Sequence, residues 1–171
     1  MTRGTLFCLA VLLCACGEAA PPPSLQDAQI VFTGFDSVTM ELRRGEGEAV
    51  EGDVVVARGG ITDWVIEGDP DGDESTEALA VAWVSGGGGG TFMELALFEL
   101  TPGSGAWRWQ GAVALGDRVR VRAMTLDDDT AELHLTEHGP DDAMCCPTEQ
   151  VVRRFRVTPS GIEAVDQGDQ G

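Results

Sequence analysis

The chain has 171 residues, with 11 Lys+Arg against 29 Asp+Glu, two histidines and a formal net charge of −18. That length holds one domain with a real core. An acidic excess of this size argues against nucleic acid as a partner, because binding it depends on cations that neutralise phosphates.

The chain opens Met1-Thr2-Arg3-Gly4, followed by an apolar run from Leu6 to Leu13 and then Cys14-Ala15-Cys16. A positive start, a short apolar stretch and small residues at its end are the parts of an export signal. The run is shorter than the roughly 20 residues that span a bilayer. Leu13-Cys14-Ala15-Cys16 resembles the lipobox of bacterial lipoproteins. The resemblance implies a leader of residues 1–15, diacylglycerol on the Cys16 sulfur and acylation of the new N-terminus. Several acyl chains make release from a membrane unfavourable, at about 0.8 kcal/mol per buried methylene. The residue after the cysteine is Gly17 rather than Asp, which by the same resemblance sorts the protein to the outer membrane, facing the periplasm, in a cell with two membranes. The plainer alternative is an ordinary cleaved signal with Cys16 as a bystander.

Residues 16–29, with Pro21-Pro22-Pro23, read as the lipidated cysteine and a stiff tether. Residues 166–171 read as a polar, frayed tail. Between them, over 30–165, apolar residues recur mostly at period two in short runs bounded by Gly, Pro and Asp. Strands are expected at Ser37–Arg43, Asp53–Ala57, Ile61–Glu67, Ala78–Val84, Phe92–Leu100, Trp107–Ala114, Arg118–Leu126, Ala131–Glu137 and Gln150–Val157. Met93–Leu100 is helix-friendly in composition, but the glycines and Thr91-Phe92 before it favour a strand. The fold class expected is all-β or β-rich α+β: one domain of mainly antiparallel sheet, as a sandwich or a partly open barrel. Turning Arg118–Leu126 back through Asp127-Asp128-Asp129 sets Val121 beside Leu135 on a buried face. The same register sets Arg122 opposite His134 with Glu132 diagonal to it, a solvated polar face or else an anion-binding stripe.

Three segments could carry chemistry. In Asp69-Pro70-Asp71-Gly72-Asp73-Glu74-Ser75-Thr76-Glu77 the acids Asp69, Asp71, Asp73 and Glu77 stand at alternate loop positions, which suits a hard cation such as Ca²⁺ that takes six to eight oxygens. Against this, Glu74 occupies the place where calcium loops usually need glycine, and Ala80 replaces the closing acid. A polar turn between strands is the bland reading. The second segment, His138 to Thr148, contains adjacent Cys145 and Cys146, which can close a vicinal disulfide. With Pro147 and the polar His138, Asp141 and Asp142 it would form a rigid recognition loop. The Cys-Cys spacing fits neither a zinc site nor a thioredoxin-type centre. The third, Ser85 to Thr91, is glycine-rich but lacks the lysine of a phosphate loop, and reads as a hairpin turn.

No Gly-x-Ser-x-Gly element and no lysine is present, so no nucleophile–base pairing stands out and no catalytic residue is assigned. From Val65 to Val157 the chain resembles a group of exported bacterial proteins, often lipoproteins, with no assigned activity. The matching pieces are Gly68-Asp69-Pro70-Asp71-Gly72-Asp73, Gly90-Thr91-Phe92, Leu115-Gly116-Asp117-Arg118, and His138 through Thr148 ahead of Arg153-Arg154-Phe155. Ala143, where proline is common, and Glu74 depart from the pattern. The resemblance implies a domain identity and no mechanism. The function expected is a membrane-anchored, non-catalytic envelope module that binds a protein, a glycan or a cation. A periplasmic small-ligand carrier or protein inhibitor is the alternative, and a hydrolase a further one.

Overall fold

The computed structural model describes residues 24–165. The leader, Cys16, the proline run and the tail after Val165 lie outside the described residues. After a 3-10 turn at Leu25–Asp27, eleven strands follow: β1 Gln29–Phe32, β2 Val38–Glu41, β3 Glu46–Glu51, β4 Val54–Gly68, β5 Glu77–Ser85, β6 Phe92–Leu100, β7 Trp107–Asp117, β8 Arg120–Asp127, β9 Thr130–Glu137, β10 Glu149–Thr158 and β11 Gly161–Ala164. They form three antiparallel sheets, β1-β2, β3-β4-β5-β6-β7 and β11-β10-β9-β8, and none closes into a barrel. The domain is an all-β sandwich.

The five-stranded sheet lies between two cores, which explains why β5 is buried along almost its whole length. Ala78, Ala80, Ala82 and Val84 share a core with Ile30, Phe32 and Met40 of the β1-β2 hairpin and with Leu42 just after it. Leu79, Val81, Leu95 and Leu97 face the opposite way, against Leu133, Leu135, Phe155 and Val157 of the four-stranded sheet. Alternate side chains of a strand point to opposite faces, so Ala78, Ala80 and Ala82 fall in the first core and Leu79 and Val81 in the second.

Several expectations are corrected here. The tether expected to run to Gln29 joins the fold earlier: Leu25 and Ala28 are buried, and Ile30 and Phe32 are fully enclosed. Asp53–Ala57 and Ile61–Glu67 are one continuous strand rather than two. Gly59-Gly60 between them is a packing feature: a Cβ on Gly59 would lie 2.8 Å from the Phe32 ring, and one on Gly60 2.3 Å from the Gly45 carbonyl. The glycines let β1 and the Gly45 turn lie against β4. Arg118 is not in the arginine-bearing strand but in the turn before it, at φ 53°.

The β8–β9 hairpin does set Val121 opposite Leu135, but a bulge follows, so Ala123 rather than Arg122 faces His134. Arg122 instead donates to Thr136 Oγ1 at 3.1 Å. Glu132 accepts from Arg154 at 2.7 Å and lies 3.1 Å from His134. The acids of this face are thus matched by β10, not by the β8 stripe.

Candidate functional site

The connections gather at two ends of the sandwich. One end carries the β4–β5 loop, the β6–β7 turn and the β10–β11 turn. The other carries the glycine-rich β5–β6 turn, the β7–β8 turn and the loop from His138 to Thr148.

At the first end, aspartates fold the β4–β5 loop onto itself. Asp69 accepts from the amides of Asp73 at 3.1 Å and Glu74 at 3.2 Å, and Asp73 accepts from Ser75 at 2.8 Å. Short polar side chains that bond backbone two to five residues on are what make Asp-rich segments turn. Gly72 has φ 73° and Glu74 φ 71°. The left-handed bend that glycine usually supplies is therefore made at Glu74 by a residue with a Cβ, at a cost of roughly 1–2 kcal/mol.

This folding brings the four acids named from spacing into one cluster. Asp69, Asp71, Asp73 and Glu77 each present a carboxylate oxygen, all within 4.8 Å of one another. Ligands on opposite sides of one Ca²⁺ would stand about 4.6–5.2 Å apart, from Ca–O distances of about 2.3–2.6 Å. The spread therefore suits a single ion of that size. Glu77 is only 5% exposed, and its buried Oε2 has no hydrogen-bond partner. Burial first, then Asp71, Asp73, Asp69 and Glu99, push its carboxyl up to about 7. Asp71 is also raised, by burial and by Asp73. An unpaired buried acid among other acids is costly unless a cation or a proton neutralises it.

Spacing alone did not reveal Glu99. It is the Cα partner of Glu77 across β5 and β6, and it lines a small cavity of about 40 Å³ together with Asp71, Asp73, Glu77, Gln110 and the β10–β11 turn. Like charges opposite each other on one face of an antiparallel pair are destabilising, so the pairing itself is a signal. It becomes readable only once the register is known.

At the other end, Asp142 is the internal fastening of its loop rather than a free recognition group. It accepts from Gly139 N at 2.9 Å, Thr148 N at 2.7 Å and Thr148 Oγ1 at 2.7 Å. The Thr148 hydroxyl and then the Gly139 and Thr148 amides hold its carboxyl below the ordinary range. Pro147 is buried, while Asp141, Cys145 and Cys146 are exposed. The sulfurs of Cys145 and Cys146 lie 2.22 Å apart, at disulfide distance. Arg118, unremarked in the sequence beyond its place in the stripe, joins this loop to its neighbours. It donates to Met144 O at 2.7 Å, to Asp117 at 2.5 Å and to Gly89 O in the glycine-rich turn. His138 lies in the same loop, its Nε2 buried without a partner.

Two larger clefts, of about 500 and 590 Å³, open at the surface, one beside Arg58 and Trp83 and the other beside Leu25 and Trp107. Both touch the margin of the first core, at Ala57 and at Leu25, and neither is lined by the second. Comparison with protein-family models, with curated proteins and with solved structures returned no match.

Proposed function

We propose that this chain is a lipid-anchored, non-catalytic module of the bacterial envelope that binds Ca²⁺ in its β4–β5 loop. The anchor rests on Leu13-Cys14-Ala15-Cys16 after a short apolar leader and on the resemblance to exported lipoproteins. One observation carries the calcium reading: the buried Glu77 carboxylate, with an unpartnered oxygen, shares a 4.8 Å cluster with three aspartates. An all-oxygen, all-carboxylate donor set selects a hard cation over a transition metal.

A small-ligand carrier is disfavoured, because such a protein encloses its ligand and the larger clefts here are open. His134 and Glu132 form the nearest thing to an acid–base pair, but His134 is exposed on β9 and Glu132 is held by Arg154. In this reading the exposed Cys145-Cys146 pair is a vicinal disulfide that stiffens the opposite loop.

The test is a calcium titration of the whole exported chain carrying Cys16→Ser, followed by calorimetry and thermal melting. At a free concentration a hundredfold over Kd, binding to the folded state alone adds about 2.7 kcal/mol. At roughly 2–4 °C per kcal/mol for a domain of this size, the melting temperature should rise by about 8 °C. Glu77→Gln should abolish the rise. Equal melting of the parent chain with calcium and with chelator would sink the reading.

A further inference from the structure

We infer that the cation site reaches beyond its loop: Glu99 supplies a further carboxylate and the β10–β11 turn closes the far side, so that one ion ties the two large sheets together. This rests on the calcium reading above and deepens it.

The geometry follows from the pleat. Glu77 and Glu99 are direct cross-strand partners and so project from the same face of the five-stranded sheet. That face carries Leu79, Val81, Leu95 and Leu97, and it packs against the four-stranded sheet. The two carboxylates therefore lie on the face that meets the four-stranded sheet, Glu77 enclosed there and Glu99 at its rim. Opposite them lies the turn joining β10 to β11, whose Thr158, Pro159 and Gly161 line the same 40 Å³ cavity as Asp71, Asp73, Glu77 and Glu99. That volume admits an ion with roughly one water, given about 30 Å³ per water.

Glu99 has the capacity for such a role. Both hydrogen bonds it accepts fall on Oε2, from Arg108 at 2.8 Å and from Gln110 at 2.5 Å. Its other oxygen accepts no hydrogen bond and stands outside the 4.8 Å group of the four loop acids, so a turn of the Glu99 side chain toward them completes the set. Arg108 is 65% exposed along its side chain and Glu99 25%, so this pair lies toward solvent while the Glu77 side is closed. The turn is prepared for contact as well: Thr158 Oγ1 donates to Gly161 O at 3.2 Å and accepts from Ser160 N at 3.3 Å. These two bonds fold the turn back toward β10 beside the cavity.

Calcium affinity depends on how many charged oxygens the site supplies. Replacing Glu99 should therefore weaken binding, whereas removing its ion-pair partner should not. The experiment measures calcium affinity by calorimetry for the exported chain with Cys16→Ser, alone and with Glu99→Gln or Arg108→Ala. Amide hydrogen exchange is recorded with calcium and with chelator. Glu99→Gln is expected to weaken binding about tenfold, and Arg108→Ala to leave it unchanged or tighter. Calcium should slow exchange over residues 157–164, in a sheet that shares no strand with the β4–β5 loop.

If Glu99 serves only to pair Arg108, both variants behave alike; equal affinities across all three chains overturn the inference. Unchanged exchange over 157–164 on calcium binding overturns it too, while the loop would remain a calcium site. No calcium uptake by the parent chain removes both readings together. The near-isosteric Gln keeps the fold, which melting in chelator verifies for each variant.

Discussion

Glu77 sets burial against charge. Its ordinary carboxyl value of 4.5 is raised to about 7, by burial first and then by its acidic neighbours. Folding without a metal therefore takes up a proton between those two values. In that window the folded state holds more protons than the unfolded one, so stability from this group is full below about 4.5 and is lost as pH rises through about 7. In chelator, Glu77→Gln should melt above the parent chain at pH 8 and converge with it near pH 4.5. With calcium at pH 8 the order should reverse, because the variant forfeits the ion. A parent chain that melts identically at both pH values in chelator would contradict this account. The spacing of Asp69, Asp71, Asp73 and Glu77 was legible in the sequence, since a tight loop brings alternate acids together. Glu99 was not, because only strand register places it beside Glu77.

The β8–β9 hairpin shows how far alternation carries at the level of elements. Val121 and Leu135 pair as the apolar pattern requires, yet the bulge after Val121 redirects Arg122 and leaves Val121 only partly buried. Leu135 is 1% exposed, so the two positions should differ in their response to charge. Leu135→Asp is expected to cost about 4 kcal/mol or more, as an unpaired charge in a packed core. Val121→Asp should cost about 1–2 kcal/mol, because its carboxylate can still reach water. Urea melts of the two variants measure the gap, and equal losses would mean that both side chains are equally enclosed. Elsewhere, β1 and β3 carry no clear strand signal in the sequence, for opposite reasons. β1 follows a proline-rich stretch that reads as linker, and β3 is an edge strand whose Glu46, Glu48 and Glu51 obscure any apolar period.

Across the whole molecule the two ends are built differently. One gathers Asp69, Asp71, Asp73 and Glu77 in the β4–β5 loop, with only Glu77 buried. The other is held together by Asp142 inside its loop and by Arg118 between loops. Those bonds hold the His138–Thr148 segment in place independently of the sulfurs. Intact mass should rise by about 2 Da on reduction of the Cys145–Cys146 pair, and melting should fall only by about 1 kcal/mol, since the ring it closes is minimal. No mass gain would make both cysteines free thiols, and a large drop in stability would mean that the disulfide rather than Asp142 holds the loop.

Residue order by itself determined a β-rich class, all-β or α+β, together with most strand positions and the acidic loop, because period-two burial and Asp-driven turns are local properties. The tertiary structure alone decided that Gly59-Gly60 runs through a strand, that Arg118 bridges two loops, and that Glu77 and Glu99 meet beneath the β10–β11 turn. Each of these depends on which distant segment packs opposite. That is fixed by hydrogen-bond register and by the match between small and large faces of the sheets, which no window of neighbouring residues contains.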